Sequence, residues 1–292
     1  MIPAPVDYVR PETMTAAFAA LSDDDAKILA GGHSLIPLMK LRFARPSVLV
    51  DVSRVVPSGV EATAREGVWI GGFTTWRDIA AAAELTGPYS AARACAAAIG
   101  DVQVRNRGTI AGGLCHADPA ADMPAAALAL DATLVIASPA GERLGHFDGF
   151  VSSPFEPHLG VQEVLTGVRL PAQPAGARSA YQFVEDAASG YPIAGAAALV
   201  VVADSEIVQC RLGITGVSVC AFRPLATEEN VLGWGSRSDW RDLCSRVRSA
   251  CDGVTVMADR SADAVYRATM AQLVTARAVR QAFLDAAAAE TA

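Results

Sequence analysis

Two glycine pairs mark the places where this chain could do chemistry. In Ala30-Gly31-Gly32-His33-Ser34 the glycines let the backbone take positive φ and come close to a ligand. The N–H groups that follow, at the start of a predicted helix, would face the same point, which suits a phosphate or pyrophosphate. Ser34 offers a hydroxyl donor beside them. An ordinary strand-to-helix turn has the same signature, and the motif is neither GxGxxG nor a Walker loop. The second pair, Gly112-Gly113, lies within Arg105-Asn106-Arg107-Gly108-Thr109 and on to Asp122-Met123-Pro124. It reads as a long glycine-bearing loop over residues 100–119, and long ordered loops tend to be functional. Thr109 offers a hydroxyl, and Asp118 and Asp122 stand four apart at a helix start. A carboxylate there either caps N–H groups, with Pro119 opening the helix, or accepts from ribityl or ribose hydroxyls.

Elements at both motifs follow from hydrophobic periodicity. A helix over 13–21, a strand at 28–30, a helix over 35–41 and a strand over 47–52 make a small first unit, 1–55, with the first motif at its centre. A second unit, 56–174, opens with a strand at 68–70 and helices over 76–84 and 90–99. Thr74 or Thr75 caps the first of these, with Asp78 in its first turn. A helix over 120–130 and strands at 132–137 and 161–170 complete the unit. Pro171 to Gly176 is the best linker in the chain. Beyond it, in 175–292, strands at 181–184, 193–203 and 207–215 precede helices over 239–251 and 264–288, an α+β arrangement. Trp76, Ile79 and Ala83 fall at helical spacing and read as core, and Arg267, Arg277 and Arg280 as a solvated helix face.

Composition sets limits. The 292 residues carry 24 Lys+Arg against 31 Asp+Glu, a net charge of −7, with only Lys27 and Lys40 as lysines. No basic cluster exists to neutralise nucleic-acid phosphates. A hydrophobic share of 52% supports a real core. The six cysteines include no CxxC pair, so neither a zinc site nor a Cys-ligated cluster is expected in this chain. The start, Met1-Ile2-Pro3-Ala4-Pro5, lacks the pattern of a signal peptide, and the most apolar stretch, 193–203, is too short for a membrane helix. A reduced, cytoplasmic protein with mostly core cysteines is expected; association with the inner face of the membrane stays open.

Residues 30–42 (AGGHSLIPLMKLR) and 105–134 resemble the paired FAD-binding signatures of the medium, flavin-carrying subunits of molybdenum hydroxylases. The pattern is most similar to medium subunits of the aerobic carbon monoxide dehydrogenase type; the xanthine dehydrogenase flavin domain is more distant. The resemblance covers nearly the whole chain. It includes Glu163 to Pro171, Ser189-Gly190-Tyr191 and the run from Ser261 to Arg267.

The resemblance implies an α+β chain: a two-part FAD-binding domain of the vanillyl-alcohol-oxidase (PCMH) type, then a C-terminal domain with an antiparallel sheet and helices. It implies that Ala30, Gly31, Gly32, His33, Ser34 and Leu35 cradle the pyrophosphate of a noncovalent FAD. Thr109, Gly112, Gly113, Asp118 and Asp122 would line the flavin and ribityl chain, Ile99 and Leu165 would make apolar contacts, and Tyr191 would sit against the isoalloxazine. It implies no catalytic acid or base and no metal ligand in this chain. A large molybdenum–pterin subunit and a small subunit with two two-iron two-sulfur clusters would be its partners, in a dimer of heterotrimers. Electrons would pass from the clusters through FAD to an external acceptor. The chain departs from the family at Gly113, where a side-chain contact would be lost. Val184 stands where a cation is common, and Gly190 where an acid precedes the aromatic. In related folds a Gly-Gly-His histidine carries FAD covalently; in this branch His33 is expected to be a loop residue with local hydrogen bonds. Two other readings remain: a stand-alone flavin oxidase or dehydrogenase, and an assembly module that has lost FAD.

Overall fold

Three short apolar strands open the chain and pair in parallel. They are β1 (Asp7–Val9), β2 (Lys27–Leu29) and β3 (Val48–Asp51), in the order β1-β3-β2. Between them run α1 (Met14–Ala20), whose N-cap Thr13 accepts from Ala16 N–H, and α2 (Leu35–Lys40). The structure, a computed structural model, describes residues 2–63 and 65–290; Ala64, Thr291, Ala292 and Met1, the first residue of the Met1–Pro5 start, lie outside the described residues.

The second sheet is antiparallel, in the order β4-β5-β10-β6-β7. Its strands are β4 (Val60–Thr63), β5 (Gly67–Gly71), β6 (Thr133–Ser138), β7 (Gly141–His146) and β10 (Val164–Leu170), with the small pair β8 (Val151–Ser153) and β9 (Glu156–Pro157) beside it. Five helices connect β5 to β6: α3 (Trp76–Ala81), α4 (Ser90–Ala98), α5 (Val102–Arg107), α6 (Ile110–His116) and α7 (Met123–Ala129). The third sheet is the meander β11 (Arg178–Glu185), β12 (Pro192–Ala203) and β13 (Glu206–Thr215), followed by α8 (Leu225–Asn230), α9 (Trp240–Arg246) and the long α10 (Ala264–Glu290).

Strand period-2 geometry lets β12 serve two cores. Ala197 and Leu199 enter one core with α4, α7 and the second sheet. Ala194, Ala196, Ala198, Val200 and Val202 enter another with α10. The stretch 193–203, the most apolar in the sequence, is thus the buried middle strand of this sheet. Among the described residues no helix is long and apolar enough to cross a membrane.

Several elements differ from the sequence reading. Residues 100–119 are mostly helical: the Asp101 carboxylate accepts from Val104 N–H at 2.8 Å and starts α5, and Thr109 starts α6. The helix expected from residue 120 begins at Met123 because the Asp118 carboxylate turns back to accept from Ala120 N–H. Helix α3 stops at Ala81, so Ala82 faces inward and Ala83 outward, while Trp76 and Ile79 are core. The helix expected over 239–251 ends as α9 at Arg246, and a 3-10 turn takes Arg248–Cys251. Arg267 is not on a solvated face: it is 2% exposed, whereas Arg277 and Arg280 are exposed. Of the six free cysteines only Cys95 and Cys210 are buried, fewer than expected.

The third sheet sits against α7 at backbone distance. A Cβ on Gly213 would overlap the Ala125 carbonyl oxygen and lie 3.0 Å from Leu128 Cβ. Neither strand nor helix can retreat without opening a buried core. Gly213→Ala is therefore expected to cost about 1–3 kcal/mol, read as a lower urea midpoint at unchanged slope; an unchanged midpoint would show that the contact is not needed.

Candidate functional site

The first motif turns where β2 ends. Gly32 adopts φ +79°, open to glycine at little cost, and α2 begins three residues later. Among the described residues, no protein group accepts from the N–H groups of Gly31, Gly32, His33 and Ser34. Ser34 makes no side-chain cap to α2, and the His33 side chain is exposed with no hydrogen bond to protein, unlike the local bonding expected of it. Four successive donors in a partly buried turn form a nest for an anion.

The two motifs are in direct contact. A Cβ on Gly31 would overlap the Arg107 carbonyl and lie 2.7 Å from Gly108 Cα, so only glycine fits here. Ala30 faces Gly112, whose added Cβ would stand 3.4 Å from Ala30 Cβ and 2.9 Å from Thr109 Oγ1. The second motif uses its own donors internally. Ile110 N–H reaches the Thr74 carbonyl, Ala111 N–H the Gly72 carbonyl, Gly112 N–H Thr109 Oγ1 and Gly113 N–H the Thr109 carbonyl. Thr109 is 1% exposed and is the N-cap of α6, with its hydroxyl hydrogen still available. At Gly113 the Trp76 ring fills the space a side chain would need, an added Cβ overlapping its Cζ2. Trp76 also packs on Gly108, where an added Cβ would come within 2.8 Å of the indole.

The remaining residues take distinct positions. Leu165 is 3% exposed, in the core of the second sheet. Ile99 packs against that core, and its carbonyl accepts from Arg105 Nη1. Asp118 is half-buried, holding its own turn. Tyr191 is 52% exposed. Burial raises the pKa of its phenol, and the charges of Asp118 and Asp122 add to the effect. Val184 packs partly into the α10 core rather than offering a cation. Gly190 has φ +73°, where an acidic side chain would be strained.

Asp122 is the buried charge of the site. It is 6% exposed, makes no cap to α7, and its Oδ1 accepts from the Tyr181 hydroxyl at 2.7 Å. Gly195 makes room, since any Cβ there would overlap that hydroxyl. Phe183 stacks on Tyr181 at 5.6 Å. The Asp122–Tyr181 pair is a link that sequence reasoning missed, because its partners are 59 residues apart and only β11 brings them together. Nearby, His116 ends α6 against Phe155, ring centroids 5.1 Å apart, and burial lowers its pKa. Among the described residues no three His, Cys, Asp or Glu side chains gather as a metal site.

Burial pushes the Asp122 carboxyl up to about 6, and the Tyr181 hydrogen bond only partly opposes it. The folded chain then binds this proton more tightly than the unfolded chain. The resulting stabilisation is complete below the ordinary carboxylate value and is lost as pH rises through about 6, a change on the order of 3 kcal/mol. Asp122→Asn keeps an acceptor for Tyr181 and removes the titration. Its stability relative to the natural chain, from urea melts, should therefore fall by a large part of that figure between about pH 7 and about pH 4. A difference that does not change with pH would refute the assignment.

Over residues 4–173 the chain matches the family described as the FAD binding domain in molybdopterin dehydrogenase. It is 32% identical over 291 residues to the carbon monoxide dehydrogenase medium chain of Hydrogenophaga pseudoflava, covering 97% of this chain and 99% of that one. It is 32% identical over 283 residues to the glyceraldehyde dehydrogenase medium chain of Sulfolobus acidocaldarius, covering 96% and 99%. Among solved structures, a chain of carbon monoxide dehydrogenase from Hydrogenophaga pseudoflava superimposes with a TM-score of 0.91 at 33% identity, covering 98% of this chain and 99% of that one. The α+β architecture is that of the two-part PCMH-type FAD domain with its C-terminal domain. With a family match over more than half its length and relatives aligned end to end, the chain belongs to the FAD-binding medium subunits of the molybdenum hydroxylases, a family of oxidoreductase subunits.

Proposed function

We propose that the chain holds one FAD noncovalently across its two glycine motifs. The observation that carries this reading is the set of four N–H groups at Gly31–Ser34 without protein acceptors among the described residues, in a turn held against the second motif at Gly31, where a Cβ would overlap the Arg107 carbonyl. Such a nest binds a pyrophosphate without lysines, which suits a chain of net charge −7. In this reading Ala30 to Leu35 hold the pyrophosphate. The Thr109 hydroxyl, the Gly112-Gly113 backbone and the carboxylates of Asp118 and Asp122 line the ribityl and flavin region. Ile99 and Leu165 back it with apolar surface, and Tyr191 lies against the isoalloxazine. Units 1–55 and 56–174 form the cradle, and 175–292 covers it from the Tyr191 side. The family match ending at residue 173 supports that division.

When bound, FAD supplies reversible electron exchange in one- and two-electron steps. The chain's own part is to bind, orient and shield that group. We place it in an assembly with a large molybdenum–pterin subunit and a small subunit carrying two two-iron two-sulfur clusters, as a dimer of heterotrimers in the cytoplasm. There it would stand between those clusters and an external electron acceptor. Relatives bearing the name medium chain support membership of a multi-chain enzyme. Medium chains of enzymes named for glyceraldehyde and for carbon monoxide match this chain at the same 32% identity, which supports substrate choice on another subunit.

Protein purified with FAD supplied should keep flavin absorbance after desalting at about one flavin per chain, and denaturation should release all of it into the filtrate. His33→Ala should keep the same flavin content. A colourless desalted protein overturns FAD binding; flavin fluorescence in the denatured polypeptide band overturns the noncovalent attachment.

A further inference from the structure

Tyr191 sits on a tight turn that closes on one residue. Every polar atom of Asp186 is engaged there. Its N–H donates to the Tyr191 carbonyl at 2.9 Å, and its carbonyl accepts from Gly190 N–H at 2.8 Å. Its Oδ1 accepts from Ala188 N–H at 2.9 Å, and its Oδ2 from the Ser261 hydroxyl at 2.6 Å. Tyr191 N–H donates to Ser189 Oγ within the turn. The Ser261 hydrogen bond, with those from within the turn, holds the Asp186 carboxyl below the usual carboxylate range.

Ser261 belongs to a second small turn that is itself anchored. Asp259 Oδ1 accepts from Ser261 N–H at 2.9 Å and Ala262 N–H at 3.1 Å, and Asp259 N–H donates to the Ala262 carbonyl. Asp259 Oδ2 lies 2.8 Å from Nη2 of the buried Arg267. Arg267 Nη1 donates to the Ile193 carbonyl at 2.8 Å and the Gly216 carbonyl at 2.5 Å. Ile193 is two residues beyond Tyr191. Both ends of the 186–193 segment are therefore held from the 259–267 region, one through Ser261 and one through Arg267. The tyrosine between them is half exposed and makes no side-chain hydrogen bond to the described residues.

We propose that Ser261 and Asp186, backed by Asp259 and Arg267, are positioning residues that clamp the 186–191 turn and so fix the Tyr191 ring against the isoalloxazine. The proposal rests on the reading of Tyr191 given above. Holding an aromatic ring at a cofactor face requires loss of its loop's freedom, and hydrogen bonds that over-determine a short turn provide that before the cofactor arrives. A second consequence is that the C-terminal domain acts on the flavin from a distance, through a chain of contacts that does not reach the cradle itself.

Ser261→Ala removes only the bond between the two turns, at an exposed residue where the fold has little at stake. Two measurements test it. In the cofactor-free chain, hydrogen exchange at the Asp186 and Gly190 amides should quicken by about tenfold in Ser261→Ala, and Ser261→Thr, which keeps the hydroxyl, should restore protection. In the FAD-loaded chain, Ser261→Ala should raise flavin emission severalfold and move the flavin midpoint potential in the same direction as Tyr191→Ala. Adding Ser261→Ala to Tyr191→Ala should then change neither. Unchanged exchange in Ser261→Ala overturns the clamp whether or not FAD binds. Quickened exchange with emission and potential unchanged, while Tyr191→Ala alters both, overturns its action on the flavin. A Tyr191→Ala chain with native emission and potential overturns the placement of Tyr191 and this proposal with it, while FAD content tests the cradle separately.

Discussion

The closest approach in the molecule that matters for function is backbone to backbone: Gly31 against the Arg107 carbonyl and Gly108 Cα. That contact joins the parallel β1-β3-β2 unit to the helical segment between β5 and β6. A side chain at Gly31 would separate them. The two motifs also use their N–H groups differently. The second motif spends its N–H groups on the Gly72, Thr74 and Thr109 oxygens and becomes a rigid wall. The first keeps four N–H groups without protein acceptors among the described residues. Rigidity on one side and free donors on the other is the arrangement that anion binding by backbone requires.

Trp76 makes the wall solid. Its indole occupies the space above Gly108 and Gly113, and its backbone N–H donates to the Gly108 carbonyl at 3.0 Å. The glycines of the second motif are therefore needed for packing of protein on protein as much as for any approach to a ligand. This explains how a helix, α6, can carry two consecutive glycines: the cost of roughly 1 kcal/mol each in helix propensity is offset by burying a large aromatic ring.

The third sheet is what connects this wall to the rest of the chain. Alternation along β12 sends small residues to α10 and Ala197 and Leu199 toward α4 and α7. Through β11 it delivers Tyr181 to Asp122, and through the turn after β11 it delivers Tyr191. Two buried charges brace the arrangement. Asp122 accepts from one phenol and is held up in pKa; Arg267 donates from Nη1 to two carbonyls and pairs with a loop carboxylate, while its Nε is buried without a partner among the described residues. Removing the partner of either would leave a buried charge uncompensated, the costly direction for such pairs.

Much of this was legible in the residues themselves. The Gly-Gly pairs, the periodicity of α4 and α10, the alternation of β12 and the Pro-rich break after β10 are local signals, and local signals follow from backbone sterics and hydrophobic spacing. The resemblance of 30–42 and 105–134 to flavin signatures needed only their order. The short strands β1, β4, β7, β8 and β9 escaped because they are largely exposed and carry no clear alternation. The helix α6 was hidden because two glycines in a helix read as a loop until Trp76 is seen to fill the space above Gly113, and α5 because it is only six residues long between Gly100 and Gly108. Sequence determined which residues could bind a dinucleotide and that no lysine would do it. Only the tertiary structure decided which donors stay free, where Asp122 and Arg267 find partners, and what holds Tyr191, because each of these depends on contacts between segments dozens of residues apart whose meeting no local preference encodes.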